Sequence, residues 1–277
     1  MCNIKLFFFD FDDTIFTPKS PETIQQNIQA IDRLRKNGHI VVIITGRSLN
    51  CLRMNMSDVT FHADYIVTND GTITYQCTAN GGIKPIYQHA MDGRVLRNIE
   101  EIIRSLSNNE RYEIVSYISD VEQRDIILGS SKIRIWTKSA EHASKIHQAI
   151  NGTYGNTLHS FIYPNVSEER HHDATRLSWT AGLYSAVDIY DLDVSKEAAI
   201  GQLCSERLPQ GIETIAFGDH WNDMGMLEKC DYAFIIESER SEGILKHLAG
   251  KNNVHIVKSV HSALNMYFPS LLTPSGS

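Results

Sequence analysis

Short apolar runs alternate with an amphipathic helical pattern in the first seventy residues. Residues 4–9 are apolar except for one lysine and predict a strand that is buried on both faces. Between residues 21 and 38, isoleucine and leucine recur every three or four positions, which predicts a helix with one apolar face. Further apolar runs at 40–44 and 65–67 predict two more strands. This order of elements is typical of a parallel sheet with right-handed crossovers.

The middle of the chain has a different pattern. Strand-like runs at 73–75 and 83–87 flank an Asn-Gly-Gly turn, and a mixture of helical and strand patterns follows. Strand and helix patterns then alternate again to the end of the chain. We therefore predict an α/β fold in which residues 1–75 and 187–277 form a doubly wound parallel sheet and residues 76–186 form an inserted α+β domain.

Composition and charge narrow the classes of function. The 277 residues are 42% hydrophobic and 21% charged, which is ordinary for a globular chain that forms its core without disulfides. A formal net charge of −7 disfavours a nucleic-acid partner. The five cysteines are widely spaced, the first apolar run is too short for a signal peptide, and no run is long enough to span a membrane. The sequence thus predicts a cytoplasmic protein without a membrane segment.

Three aspartates come directly after the first predicted strand. Asp10, Asp12 and Asp13 lie in the run DFDDT, at the carboxyl end of a strand, where α/β folds bind their ligands. Adjacent carboxylates repel one another unless a cation is present, and their oxygens are ligands that Mg²⁺ prefers. A solvated acidic turn is the alternative interpretation. A buried strand that ends in D-x-D-x-T favours a functional site.

Polar residues also follow other predicted strands. Thr45 and Gly46 end the second strand, where a hydroxyl group and backbone N–H groups suit a phosphoryl group, although threonine is also a common N-cap. Lys196 lies early in a later helix and offers a positive charge, although alone it would be taken for an exposed helical lysine. The run GDHWND follows a further apolar strand. It adds two carboxylates and an amide, from Asp219, Asp223 and Asn222.

In this order, the four motifs resemble those of the haloacid dehalogenase superfamily of phosphohydrolases. The long insertion resembles the α+β cap, of the C2 type, found in its Cof-like subfamily. The resemblance implies that Asp10 attacks phosphorus and that Asp12 acts first as a general acid and then as a general base. The implied phosphate-binding residues are Thr45, Gly46, Lys196 and Asn222. The implied Mg²⁺ ligands are Asp10, Asp12 through its backbone carbonyl, Asp219 and Asp223.

The activity implied by this resemblance is Mg²⁺-dependent hydrolysis of a small phosphorylated metabolite, such as a sugar phosphate, through an aspartyl-phosphate. Phosphoryl transfer requires positioning and charge neutralisation, which Lys196 and the cation would supply. Asp12 has to carry a proton at the start, and its anionic neighbours are expected to favour that form. A phosphomutase with the same chemistry and a non-catalytic phosphate-binding regulator are the alternatives. The insert is expected to cover the site and to select the leaving group.

Three features depart from the pattern of that superfamily. His220 and Trp221 stand where a glycine is common, and residues 233–238 lack the usual Gly-Asn. Asp70, in the run Asn-Asp-Gly, adds a carboxylate near the predicted pocket. We expect these departures to affect the choice of substrate more than the chemistry.

Overall fold

The chain forms two compact units. The computed structural model describes residues 4–18, 20–106, 112–118, 121–123, 125–166, 184–238, 240–248 and 250–272. The first unit comprises residues 1–47, 56–87 and 195–277, and the second comprises 48–55 and 88–194. The sequence predicts an insert at 76–186, whereas the long segment of the second unit spans 88–194.

Strands and helices alternate along most of the described chain. The strands are β1 (Lys5–Asp10), β2 (Ile40–Ile44), β3 (Tyr65–Thr68), β4 (Ile73–Cys77), β5 (Ile83–Gln88), β6 (Tyr112–Ile118), β7 (Val121–Gln123), β8 (Lys132–Thr137), β9 (Leu158–Val166), β10 (Tyr184–Asp191), β11 (Glu213–Gly218), β12 (Tyr232–Ile236) and β13 (Val254–Val257). The helices are α1 (Pro21–Lys36), α2 (Leu49–Asn55), α3 (Gly93–Leu106), α4 (Ala140–Tyr154), α5 (Lys196–Glu206), α6 (Met224–Lys229), α7 (Glu242–Leu248), α8 (Val260–Tyr267) and α9 (Pro269–Leu272). No helix among these residues is both long enough and apolar enough to cross a bilayer.

An eight-stranded sheet organises the first unit. Its strand order is β13-β12-β11-β1-β2-β3-β4-β5, and the pairs from β13 to β3 are parallel, whereas β4 runs antiparallel to β3. β1 lies inside the sheet between β11 and β2, which explains why its residues from Leu6 onward are all buried. The prediction of an α/β fold with a parallel sheet is confirmed.

Helix α1 helps to fix the loop that follows β1. It begins with Pro21 and buries one face, as the spacing of its apolar residues predicts. Asn27 on that face is fully buried, and its side-chain amide donates to the carbonyl oxygens of Thr14 and Ile15 at 3.3 and 3.1 Å. Its side-chain oxygen accepts from the backbone N–H of His261 at 2.9 Å. The DFDDT segment is therefore anchored at its far end by a satisfied buried amide.

A five-stranded antiparallel sheet organises the second unit, in the order β7-β6-β8-β10-β9. One face carries Ile133 and Ile135 of β8, which pack in one apolar cluster with residues of α3 and α4. β10 pairs with β8 and β9, so residues 187–191 belong to this sheet and not to the first one. A buried apolar run indicates a strand, but it does not identify the neighbours of that strand.

Candidate active site

The carboxyl ends of three adjacent parallel strands bring the predicted residues together. β1 pairs with β2 through Asp10 and Ile44, and with β11 through Phe9 and Phe217. Thr45 and Asp219 come directly after those two neighbouring strands. Asp10, Thr45 and Asp219 are all at least 95% buried. The edge of the sheet thus places polar side chains from three distant parts of the sequence in one location, as expected for an α/β fold.

Lys196 is a buried cation at the start of α5. Ser195 caps this helix, because its hydroxyl oxygen accepts from the backbone N–H of Ala198 at 3.0 Å. The Lys196 side chain is only 1% exposed, and its Nζ donates to Oδ1 of Asp10 and, at 2.6 Å, to Oδ1 of Asp223. Burial alone lowers the pKa of Lys196, but the carboxylates of Asp10 and Asp223 outweigh it, so the net effect is to raise this pKa. Lys196 is therefore a permanent positive charge in the site.

Asp223 ties the GDHWND turn to Lys196. Its Oδ2 accepts from the backbone N–H groups of Asp219 and His220, both at 3.0 Å. A side chain at Gly218 would put its Cβ 2.7 Å from the Asp223 carboxyl group, so this close approach requires a glycine. Asp223 thus uses one oxygen for the turn and the other for the lysine, and it holds both in place.

Three buried carboxylates form a cluster suited to a divalent cation. Asp10, Asp219 and Asp223 each present an oxygen atom within 4.8 Å of the others. Burial, followed by the charge of Asp223, raises the pKa of Asp10 well above its usual range, although Lys196 opposes this shift. Burial and the charge of Asp223 also raise the pKa of Asp219 to about 7. One lysine does not neutralise three carboxylates, and hard oxygen donors in this number fit Mg²⁺.

The hydrogen bonds of these carboxylates indicate which of them would hold the ion. Both oxygens of Asp223 are already engaged. Among the residues that the structure describes, the side chain of Asp219 accepts hydrogen bonds only from the hydroxyl groups of Thr14 at 3.5 Å and Ser238 at 3.1 Å. Asp10 and Asp219 would therefore provide direct ligands to the ion. Asp223 would not bind it directly but would hold Lys196 and the backbone of Asp219 in place. The cluster contains three of the four residues predicted to bind the metal; the fourth, Asp12, is predicted to contribute its backbone carbonyl and not its side chain.

Asp12 forms an ion pair with Arg47. The Nε of Arg47 lies 3.0 and 2.8 Å from the two carboxylate oxygens, and its Nη2 lies 2.5 Å from Oδ1. The sequence predicts that anionic neighbours act on Asp12, but this partner is a cation. Arg47 also follows Thr45 and Gly46 directly, and its backbone N–H donates to the Thr45 hydroxyl at 3.1 Å. The sequence does not predict a role for Arg47, because this residue follows β2 whereas its partner Asp12 follows β1. Spacing along the chain does not reveal a contact between the ends of two strands.

Ser238 contacts the site from the segment that lacks the usual Gly-Asn. Its hydroxyl group donates to Oδ2 of Asp219, and its backbone N–H donates to the hydroxyl oxygen of Ser241 at 3.1 Å. Arg240 in the same loop lies 3.5 Å from the carboxylate of Asp13. The departure from the superfamily pattern therefore leaves a hydroxyl group that orients Asp219.

Within the described part of the chain, the side-chain hydrogen bonds of Asn222 go to Asp70 and His220 and not to the other predicted phosphate-binding residues. Its Nδ2 donates to Oδ1 of Asp70 at 3.2 Å, and its Oδ1 lies 3.3 Å from Nδ1 of His220. The amide is held at both ends. Asp70, which the sequence marks only as an additional carboxylate, is 3% exposed and borders the site.

Comparison with known proteins agrees with this geometry. Residues 7–257 match the model of a family described as haloacid dehalogenase-like hydrolases, and the chain belongs to that family. The resemblance inferred from the four motifs is thereby confirmed. A search of curated proteins finds no match.

Solved structures share the fold at low sequence identity. TM0651 from Thermotoga maritima superposes with a TM-score of 0.68 at 16% identity, covering 95% of this chain and 97% of that one. BT4131, described as a sugar phosphatase of subclass IIB of the superfamily, gives 0.65 at 14% identity, with 94% and 98% covered. BT1666 from Bacteroides thetaiotaomicron, described among the phosphatases of the superfamily, gives 0.64 at 16%, with 95% and 94% covered. At these identities the similarity establishes the fold.

The raised pKa of Asp219 predicts how stability depends on pH in the metal-free protein. Above the usual pKa of an aspartate, near 4, the unfolded chain has released this proton, whereas the folded state retains it up to a pKa of about 7. The folded state binds more protons in this window, so the free energy of unfolding should fall as the pH rises from about 4 to about 7. Urea unfolding in a chelator should show this slope, and Asp219→Asn should make it shallower. An unchanged slope in the variant would contradict the assignment to Asp219.

Proposed function

We propose that this hydrolase is a Mg²⁺-dependent phosphatase that acts on a small phosphorylated metabolite, with sugar phosphates as the first class to test. The observation that carries the proposal is the buried Lys196 between Asp10 and Asp223, with a third carboxylate, Asp219, beside them. A nucleophilic carboxylate, a fixed cation and a cluster able to bind a divalent ion are the parts that phosphoryl transfer requires. The description of the similar structure BT4131 as a sugar phosphatase supports the choice of substrate class.

The mechanism divides the hydrolysis into two displacements. A carboxylate oxygen of Asp10 forms a bond to phosphorus while the bond from phosphorus to the leaving oxygen breaks, and the carboxyl group of Asp12 gives a proton to that oxygen. A water molecule then attacks phosphorus, Asp12 takes a proton from it, and inorganic phosphate leaves as Asp10 is restored. Lys196 stabilises negative charge on the phosphoryl group throughout. Mg²⁺, when bound by Asp10 and Asp219, supplies further neutralisation of that charge.

Arg47 determines how Asp12 meets the leaving group. The guanidinium group contacts both carboxylate oxygens and fixes the orientation of the side chain. Proton transfer to the leaving oxygen requires Asp12 to exchange part of this contact for the substrate and to take up a proton from solvent before the first displacement. Arg47 is therefore a positioning residue for the acid–base step.

Two other functions share these residues. A phosphomutase would use the same aspartyl-phosphate and pass the phosphoryl group to a second hydroxyl group instead of water. A phosphate-binding regulator would keep Lys196 and the carboxylates but show no turnover. The family assignment favours hydrolysis, and the complete set of catalytic residue types argues against a regulator. Only the product separates a phosphatase from a mutase.

A panel of phosphorylated metabolites distinguishes the three functions. We expect inorganic phosphate to be released from at least one sugar phosphate in the presence of Mg²⁺ and not in excess chelator. Ca²⁺ should inhibit, because it takes more ligands at longer distances and would draw Asp10 out of line for attack. An isomeric sugar phosphate without free phosphate would indicate a mutase. Binding of phosphate without turnover of any member would indicate a regulator.

We propose that the second unit sets substrate specificity. It contains none of the four motifs, and within the described residues its strands form a sheet of their own. Replacing residues 88–194 by a short linker should spare some hydrolysis of p-nitrophenyl phosphate and remove most discrimination among metabolites. Circular dichroism should first establish that the shortened protein is folded. If that folded protein kept the substrate ranking of the full chain, the first unit alone would determine specificity.

A further inference from the structure

The turn between β3 and β4 has an unusual backbone conformation. Asn69 and Asp70 have φ angles of +48° and +58°, in the left-handed region that few residues other than glycine adopt. Gly71 follows with φ of +113°. Two consecutive non-glycine residues of this kind persist only where the surroundings hold them in place. The mechanism above assigns no role to this turn.

Backbone hydrogen bonds join this turn to the segment that contains Thr45. The backbone N–H of Asp70 donates to the carbonyl oxygen of Thr45 at 3.0 Å, and that of Asn69 donates to the carbonyl oxygen of Arg47 at 2.9 Å. A Cβ at Gly46 would lie 2.8 Å from Oδ1 of Asp70. The glycine at position 46 therefore allows the buried carboxylate to approach the backbone of the predicted phosphate-binding loop.

The same turn contacts the two later motifs. Oδ1 of Asp70 accepts from Nδ2 of Asn222 at 3.2 Å. A Cβ at Gly71 would lie 2.4 Å from the carbonyl oxygen of Ser195, the N-cap residue that precedes Lys196. The negative charge of Asp70 also acts on Lys196 and helps to raise its pKa. Three segments that are far apart in sequence thus meet at one turn.

We propose that Asp70 is a positioning residue of the phosphate site, which holds the amide of Asn222 and the loop of Thr45 in the orientation that receives the phosphoryl group. This inference rests on the proposed function. Asp70 acts through Asn222, because its carboxylate accepts the hydrogen bond that sets the direction of the amide. Without that acceptor, the amide keeps only its contact with His220. It is then less well oriented before phosphate binds, and ordering it on binding weakens the affinity.

A double-mutant cycle on Asp70 and Asn222 tests this role. The readout is the affinity for inorganic phosphate in the presence of Mg²⁺, measured by calorimetry, with the steady-state constants for p-nitrophenyl phosphate as a second readout. Asp70→Ala and Asn222→Ala should each weaken phosphate binding about tenfold, as expected for the loss of a buried hydrogen-bond partner. The double variant should be no more than about twofold weaker than either single variant, because the two residues act as one unit.

Asp70→Asn is the conservative variant in this cycle. Asparagine tolerates a positive φ and retains an acceptor oxygen, so we expect phosphate affinity to stay within about threefold of wild type. If Asp70→Ala does not fold, the same cycle is carried out with Asp70→Gly, which also removes the acceptor and accepts the backbone conformation.

Asp64→Ala is the control for a purely structural effect. Asp64 pairs with Arg35 at 2.9 Å and accepts from the backbone N–H of Val41 at 2.9 Å, away from the proposed site. This variant should lower the melting temperature and leave phosphate affinity unchanged. Additive losses in the double variant, or wild-type affinity in a folded variant without the acceptor, would overturn the role of Asp70. If wild type neither binds phosphate nor hydrolyses any ester, the proposed function itself fails.

Discussion

Replacing Asp10 by asparagine is expected to abolish turnover while the protein remains folded. The amide has nearly the same shape, but it is no nucleophile and carries no charge for a cation. Removing an essential nucleophile costs many orders of magnitude in other hydrolases, so we expect a loss of roughly 10⁴-fold or more in kcat. The fold should survive, because Lys196 keeps its ion pair with Asp223 at 2.6 Å. Phosphate release by the purified variant measures the loss of turnover. Its circular dichroism spectrum shows whether the fold is retained.

Asp13→Asn provides a matched control for this prediction. Asp13 lies in the same DFDDT run and undergoes the same chemical change, but its side chain is 35% exposed and lies near Arg240 on the loop after β12. Its φ of +55° is one that asparagine also accepts. We expect the control to retain most of the activity. Turnover by Asp10→Asn at the level of this control would exclude Asp10 as the nucleophile.

Replacing Lys196 by methionine is expected to affect both activity and stability. Methionine fills a similar volume, but Asp10 and Asp223 would lose the cation that they share. Removing one partner of a buried ion pair typically lowers the free energy of unfolding by about 3–5 kcal/mol, because the remaining charge is left buried without its partner. We expect a loss of stability of about that size in urea unfolding near pH 8 without metal. Added Mg²⁺ should recover part of it, since the ion would neutralise the same carboxylates.

Lys229→Met is the control for this second prediction. Lys229 pairs with Glu197 at 2.8 Å, but the two side chains are 54% and 40% exposed. Exposed pairs contribute little, so we expect a change below about 1 kcal/mol and unaltered activity. Equal stability of the Lys196 variant and this control would show that the buried ion pair does not stabilise the fold.

Much of the candidate site can be predicted from the sequence, because the end of a strand is marked by the residues of the strand itself. A continuous apolar run predicts β1 and therefore also predicts that Asp10 lies at the edge of the sheet. The same argument applies to Thr45 after β2 and to Asp219 after β11. Gly218 is explained by the same local geometry, because the turn that it forms brings Asp223 against it.

The remaining features depend on contacts that have no local signal. A lysine early in a helix is exposed or buried according to what lies opposite, and Lys196, which is 1% exposed, lies opposite the carboxylates of Asp10 and Asp223. Arg47 reaches Asp12, and Asp70 reaches Asn222, across different segments of the chain. The assignment of β10 to the second sheet has the same origin, because its partners are determined by the topology and not by its own residues.

Acid quench of the enzyme during turnover tests the central claim most directly. The protein is mixed with a phosphorylated substrate and Mg²⁺, stopped in acid within the first turnover, and examined by mass spectrometry of the intact chain and its peptides. We predict a transient gain of one phosphoryl group on the peptide that contains Asp10, sensitive to hydroxylamine as expected of an acyl phosphate. The same label should be absent from Asp10→Asn. Full turnover with no labelled protein at any time, or with the label on another residue, would contradict the account.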